Sequence, residues 1–293
     1  MSAPAAPSVR VAPRRHSRLR LATFRAAETA ARALGGRAWY RRRHLARARL
    51  HVREEHVAVV GLERALDGLT IAHVSDLHGG PFLARGDLAD VVDVVNARTP
   101  DLVALTGDWI THVWSDALPL VDDLARLVAP LGVYSVFGNH DYRGRLEGRI
   151  ADAGARAGIR FLRNEGVVLE RGGARFALVG LEDPEEAREV DLARARADVD
   201  PALPEVVLCH NPLAARRIAR PGCAAILAGH SHGTQVDLPW LRRLGPAHPG
   251  LRVELGSTVL VVSRGLGVVG LPWRVGAPAE LVFVRLVRAE GSA

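Results

Sequence analysis

From residue 57 onward, short apolar and β-branched runs alternate with longer segments whose apolar positions recur at helical spacing. The runs at 57–60, 69–74, 102–106, 133–137, 176–179, 206–209 and 224–228 predict strands. Between them, residues 87–98, 117–128, 145–157, 185–197 and 212–219 predict helices. Some of these open on an acid placed to cap the first turn, as at Asp87 and Asp116. Strands alternating with helices predict α/β packing with much parallel pairing. Beyond residue 230 the helical spacing stops, and 252–255, 258–263 and 281–287 predict further strands.

The first 56 residues have a different texture. Residues 1–8 are small and proline-rich and predict disorder, whereas 18–49 are rich in Ala, Leu and Arg and favour helix, interrupted at Gly35-Gly36. Leu21, Phe24, Ala27, Ala31 and Leu34 recur at helical spacing with Arg on the flanks. That pattern fits a basic helix lying on a membrane surface, and equally a solvated helix packed loosely on the body. The chain therefore divides into an Arg-rich extension, 1–56, partly helical or disordered, and a globular domain, 57–293.

Charge sharpens that division. Residues 1–53 hold 14 Arg against one acid, Glu28, while the rest holds 25 Arg against 31 acids, so a mildly acidic body carries a cationic arm. There is no Lys, which reads as a compositional bias of the genome rather than a selection for guanidinium. No apolar run approaches a membrane span, and the Arg14-Arg15 pair lacks the uninterrupted apolar stretch of a secretion signal. Cys209 and Cys223 adjoin apolar runs and read as small buried hydrophobes in a reducing compartment. The expected location is cytoplasmic, with peripheral contact at the inner face of the membrane.

Five strand ends are followed at once by metal-capable side chains: Ser75-Asp76-Leu77-His78, Gly107-Asp108, Gly138-Asn139-His140-Asp141, His210-Asn211 and Gly229-His230-Ser231-His232. Ligand sites in open α/β sheets gather beyond the carboxyl ends of strands, so these five ends can converge. Imidazole with carboxylate suits Mn, Fe or Zn, and a carboxylate can bridge two ions about 4 Å apart. In Asp76-x-His78 and His230-x-His232, alternate residues of an extended segment would point the same way. A pair of cations held there would lower the pKa of a bridging water and neutralise phosphoryl charge. A lone Asp-x-His or Gly-Asp is commonly only a turn. Gly-Asn-His-Asp and Gly-His-Ser-His are far more specific.

These motifs resemble the five signature blocks of the calcineurin-like metallophosphoesterases, over about residues 57–287. Ser75-Asp76-Leu77-His78-Gly79, Gly229-His230-Ser231-His232-Gly233-x-Gln235 and Ser263-Arg264-Gly265-Leu266-Gly267 resemble a bacterial, often membrane-associated branch of phosphodiesterases. Some members of that branch hydrolyse the pyrophosphate of UDP-diacylglucosamine. The resemblance implies a four-layer α/β/β/α sandwich of two mixed sheets and a dinuclear hydrolase in which a metal-bridging hydroxide attacks phosphorus. It assigns Asp76, His78, Asp108 and His232 to one metal, and Asp108, Asn139, His210 and His230 to the second. It places His140 near the leaving group as general acid or electrostatic stabiliser, with Asp141 orienting its ring. In place of the acid often found three residues after the Gly-Asp aspartate stands Thr111.

Other residues carry weaker expectations. His73 reads as a core residue or a support behind the ligands, His112, Trp109 and Trp114 as pocket or packing residues, and Arg264 as a partner for substrate phosphate. Residues 237–250, with Trp240 and Leu241, read as a substrate-side loop or a plain surface excursion. The branch resemblance and the cationic arm point to a lipid-linked or nucleotide-diphosphate ester at an anionic membrane surface, with a soluble nucleotide or cyclic-nucleotide phosphodiesterase as the alternative. Nucleic acid is the less favoured partner of the arm, which lacks a reader motif.

Overall fold

The computed structural model describes residues 9–13, 18–238 and 247–289. The disorder expected at 1–8 and residues 239–246 of the expected loop lie outside the described residues. In chain order the elements are α1 (Arg18–Ala33), α2 (Gly36–Tyr40), β1 (His51–Val60), β2 (Thr70–Val74), α3 (Ala89–Asn96), β3 (Leu102–Thr106), α4 (Leu118–Leu124), β4 (Val133–Val136), α5 (Glu147–Arg156) and β5 (Ile159–Phe161). They continue with β6 (Glu165–Arg171), β7 (Ala174–Gly180), α6 (Leu192–Ala195), β8 (Glu205–Leu208), α7 (Ala215–Ile218), β9 (Cys223–Ala228), β10 (Arg252–Leu255), β11 (Thr258–Val262) and β12 (Glu280–Ala289).

The strands form two six-stranded mixed sheets, ordered β1-β12-β2-β3-β4-β5 and β10-β11-β9-β8-β7-β6. Within the first, β2 through β5 run parallel, and within the second β7, β8, β9 and β11 do so. The period-2 alternation of side chains decides the layers. Ile71, Leu102, Ala104, Val136 and Val284 face Phe176, Leu178, Val206, Leu208 and Leu227 between the sheets. The intervening Ala72, Val74, Val103 and Leu105 face outward under Val91, Val95, Leu120, Leu124 and Ile150 of the helices. On the far side Val179, Val207, Ile226 and Leu260 pack under Ala195, Ala215 and Ile218. The result is the expected α/β/β/α sandwich, with central strands such as β3 and β9 buried on both faces.

Three departures have physical reasons. The strand expected at 57–60 begins at His51 and pairs along its whole length with β12, so residues 51–56, grouped above with the extension, are six of the ten residues of an edge strand. Its charged Arg53, Glu54 and Glu55 mask the apolar run, as edge strands commonly do. The hairpin β6–β7 was not anticipated, although Gly172-Gly173, both at positive φ, is its two-residue turn. The helix expected over 185–197 shrinks to α6. Asp183 Oδ1 takes the N–H groups of Glu185 and Glu186 at 3.0 and 2.7 Å in a non-helical turn, and Asp191 caps the short helix through Arg194 N–H at 2.9 Å.

The described part of the arm lies against this body. Val9, Tyr40, His44 and Leu45 are buried, as is Glu28 in the middle of α1. Both cysteines are buried and free.

Candidate metal centre

The carboxyl ends of parallel strands β2, β3 and β4 of one sheet and β8 and β9 of the other meet at one edge of the sandwich. The loops are tied together there: Asp76 N–H donates to Gly107 O (3.0 Å), His78 N–H to Asp108 O (2.9 Å), and Gly229 N–H to His210 O (3.0 Å). Backbone conformation aims the side chains. Asp76, His78, Asp108, His230 and His232 all have φ between 50° and 67°, five of the ten non-glycine residues at positive φ among the described residues. Such left-handed conformations cost of order 1–3 kcal/mol each and persist where the surroundings impose them. The pairs Asp76-x-His78 and His230-x-His232 therefore converge through left-handed turns, not through the extended alternation expected from spacing.

Backbone must also come close. A Cβ on Gly138 would stand 2.2 Å from Asp108 Oδ1, and one on Gly229 would stand 2.2 Å from Asp76 Oδ2. Only glycine allows both approaches.

The seven expected ligands form one cluster in two linked halves. In the first, His78 Nε2 and His232 Nε2 are 3.0 Å apart, His232 Nε2 lies 3.5 Å from Asp76 Oδ1, and His78 Nε2 lies 3.4 Å from Asp108 Oδ2. In the second, that same Asp108 Oδ2 is 3.4 Å from His210 Nε2. Asn139 Oδ1 there accepts from His210 Nε2 at 3.3 Å and His230 Nδ1 at 3.0 Å. Asp108 thus stands between the halves. Three triads, Asp76–His78–His232, His78–Asp108–His140 and Asp76–Asp108–His210, each bring their ligand atoms within 4.8 Å of one another and could hold a metal ion.

Supports behind these residues fix their orientation. His210 Nδ1–H donates to Thr106 O at 2.6 Å, which turns Nε2 into the cluster. His73 is not in the cluster. Its Nε2 donates to Thr106 Oγ1 (2.8 Å), which donates to Ser75 Oγ (2.8 Å), which donates to Asp76 Oδ2 (2.6 Å). This series leaves Asp76 an acceptor. Burial, helped by the charge of Arg53, lowers the His73 pKa to about 3.

Burial dominates the electrostatics. It lifts Asp76 to about 6, with Asp108 adding to the rise while His210 opposes it. Burial also works to raise Asp108, but His210, His140 and His78 carry it well below the usual range. His210 moves the other way: burial disfavours its charge, yet Asp108 raises it well above an ordinary imidazole. His78 falls to about 4, and His140 and His232 fall well below normal, first because they are buried.

His140 is held differently from the expectation. Its N–H donates to Asp108 Oδ1 (2.8 Å) and its Nδ1–H to Thr111 O (3.1 Å). Asp141 does not touch the ring. Its carboxylate accepts the N–H groups of Gly138 (2.8 Å), Trp109 (2.8 Å) and Ile110 (3.3 Å), which ties the β4 loop to the β3 loop. Burial and the charge of Asp108 push its pKa up to about 8, against the Gly138 and Ile110 donors and His210. Thr111 also donates through Oγ1 to His78 O at 2.9 Å, so the residue standing in the acid's place buttresses two loops.

Arg264 turns away from the cluster: its guanidinium pairs with the fully buried Glu280 carboxylate. The cations beside the histidines are instead Arg143, whose Nη2 donates to His140 Nε2 at 3.2 Å, and Arg274, whose Nη2 lies 3.4 Å from His232 Nδ1. Glu185 was also missed, 3.6 Å from His230 Nε2 and accepting from Asn211 Nδ2 at 3.2 Å. The signal was available, since Asp183-Pro184-Glu185 follows the end of β7, a sixth parallel strand. Trp109 is core packing, its Nε1–H on Ser135 Oγ at 2.9 Å. Trp114 is stacked under Arg149.

The family model for calcineurin-like phosphoesterases matches residues 69–234, which spans every one of the five motifs. The chain belongs to the calcineurin-like phosphoesterase family. Among the chain's relatives is a bovine protein named "Transmembrane protein with metallophosphoesterase domain", 31% identical over 251 residues, covering 80% of this chain and 56% of the relative. The Bacillus subtilis metallophosphoesterase YkuE is 28% identical over 233 residues, covering 77% of this chain and 81% of that protein. The chain thus spans little more than half the length of the bovine relative. A solved structure, a 5'-nucleotidase precursor from Thermus thermophilus, overlaps with a TM-score of 0.47 at 19% identity, over 74% of this chain and 54% of that one. No helix among the described residues is long and apolar enough to cross a membrane.

Proposed function

We propose that the phosphoesterase hydrolyses a phosphodiester or pyrophosphate bond with two metal ions, of the Mn, Fe or Zn class, held at the strand-end cluster. The observation that carries this reading is Asp108 Oδ2, 3.4 Å from an imidazole nitrogen of each half. The donor set fits such ions: buried imidazoles held neutral at His78 and His232, two buried carboxylates, and an amide oxygen at Asn139. Asp76, His78, Asp108 and His232 would hold one ion. Asp108, Asn139, His210 and His230 would hold the other, once His210 yields its proton. When bound, the ions supply Lewis acidity, drawing a nucleophile from water near neutral pH and offsetting phosphoryl charge.

The chain's own groups set the rest. His140, with Nδ1–H fixed on Thr111 O and its ring kept neutral, presents Nε2 beside the Arg143 guanidinium. That favours its electrostatic role over service as a proton donor. Arg143, in place of the expected Arg264, is positioned to meet an anionic oxygen of the substrate. Asp141 keeps the two loops in register and so acts on the site from behind.

For the substrate, the reading favours a lipid-linked or nucleotide-diphosphate ester at an anionic membrane surface. Leu19, Leu34 and Trp39 are exposed among Arg32, Arg42, Arg43 and Arg49, a combination suited to peripheral contact. The name of the bovine relative agrees with a membrane setting.

Metal analysis together with Mn-dependent hydrolysis of an aryl phosphodiester tests the reaction. The wild type should hold metal and turn over. Asp108→Asn should lose metal and run about a thousandfold slower, or about 4 kcal/mol of barrier. Unchanged turnover in that variant, or active protein without metal, would overturn the reading.

A further inference from the structure

Glu28 is the single acid among the first 53 residues, and it is 4% exposed on an otherwise exposed stretch of α1. Its Oε1 accepts the N–H of Gly270 at 3.0 Å, and its Oε2 accepts from His112 Nε2 at 2.5 Å. A carboxylate can only accept, so the proton of His112 sits on Nε2 and its Nδ1 is left with a lone pair. Arg143 Nη1 donates to that Nδ1 at 3.3 Å and also to Thr111 O. Arg143 Nη2 donates to His140 Nε2 at 3.2 Å, and His140 returns its Nδ1–H to the same Thr111 carbonyl at 3.1 Å. Because a guanidinium has only donors, every proton in the series points one way, from His112 to Glu28 and from Arg143 to both imidazoles.

The arm is anchored on both sides of this series. Phe24 of α1 lies against Gly270, where an added Cβ would come within 2.9 Å of the ring. The Tyr40 hydroxyl donates to Leu266 O and accepts from Arg274 Nε at 3.1 Å. Leu266 lies between Gly265 and Gly267, whose added Cβ atoms would collide with Asp76 and Leu77. The arm thus packs on the segment 265–267, which lies against the Asp76 loop.

We propose that Glu28 is a positioning residue of the phosphoesterase site: through His112 it sets the Arg143 guanidinium against His140, which makes the N-terminal helix part of the catalytic apparatus. This rests on the phosphoesterase reading above. It assigns the arm a task within the site, separate from any membrane contact. A glutamine cannot replace the acid, because its one oxygen serves either Gly270 or His112. If its amide N–H faces His112, the imidazole proton moves to Nδ1 and meets the N–H of Arg143.

The test is steady-state turnover of the Mn-loaded, full-length chain with an aryl phosphodiester, for wild type, Glu28→Gln, Arg143→Gln and the double variant, with metal content and thermal unfolding measured on each. Glu28→Gln should lower kcat about tenfold and leave KM within about twofold, with metal content as in the wild type and unfolding only slightly lowered by the one donor it leaves unpaired. In the Arg143→Gln background the same change should cost nothing further, since the residue it acts through is gone. A Glu28→Gln protein with wild-type kcat, one that loses metal, or a loss that adds in full to that of Arg143→Gln would overturn the proposal alone. An inactive wild type would overturn the phosphoesterase reading, and this proposal with it.

Discussion

On the strand-end side of the centre, five candidate ligands sit in left-handed backbone, glycines press on their carboxylates, and each loop is tied to the next by main-chain hydrogen bonds. On the arm side, buried Glu28 and the partly exposed His112 and Arg143 reach the same His140 through side chains alone, borne on α1 and two surface loops. The first wall is built into the sheets and can hold close geometry against cost. The second is attached to them through side-chain contacts from α1. Geometry that must not move is thus assigned to backbone, and charge that can be adjusted is assigned to long side chains.

The largest effect that would test this difference is on Asp141. Replacing it by Ala strands the buried N–H groups of Gly138, Trp109 and Ile110, at about 1 kcal/mol or more each, so Asp141→Ala should destabilise the protein by about 3 kcal/mol in urea unfolding. Glu28→Gln strands one N–H, that of Gly270 or of His112, and should cost about 1 kcal/mol. Equal losses of stability in the two variants would erase the distinction between a built-in and an attached wall.

A second test is the pH dependence of His73, which supports Asp76 from beneath. Its pKa is about 3 in the fold against an ordinary 6.5, so the unfolded chain takes up a proton that the native state refuses. Its contribution is fully present above pH 6.5 and is lost as pH falls toward 3, at up to about 1.4 kcal/mol per pH unit. Gln can keep the donor to Thr106 without the titration. Wild type should therefore lose stability relative to His73→Gln as pH drops from 7 to 5, and parallel curves would show that His73 is not held neutral.

The same contrast explains what could be read from the chain. The strand-end wall was legible because its ligands fall in short strings directly after apolar runs, and two of those strings, Gly-Asn-His-Asp and Gly-His-Ser-His, have few other uses. The sandwich was legible in outline from alternating strands and helices, but its layer count came from family resemblance. Less visible was how the ligands are aimed, since left-handed φ at Asp76 or His232 leaves no mark at non-glycine positions. Adjacency also misled: Asp141 follows His140 in sequence yet bonds to backbone, while the partner of the ring is Thr111, 29 residues earlier. The arm-side wall was beyond reach because Glu28 and His112 are 84 residues apart and each looks ordinary in its own segment.

The smallest expected effect concerns the outer face of the arm. Arg42 and Arg43 are exposed beside Trp39, and neither takes part in the Glu28 series. If that face meets anionic headgroups, replacing both by Gln should weaken flotation with phosphatidylglycerol vesicles by about 1 kcal/mol per residue, and added salt should shrink the difference. Turnover of a soluble aryl phosphodiester should stay at the wild-type level, because the inner face with Glu28 is untouched. Deleting residues 1–53 could not separate these roles, since it would remove Glu28, Tyr40 and the start of β1 together. Flotation that is unchanged in the double variant, or equally weak on neutral and anionic vesicles, would leave the arm with its catalytic face alone.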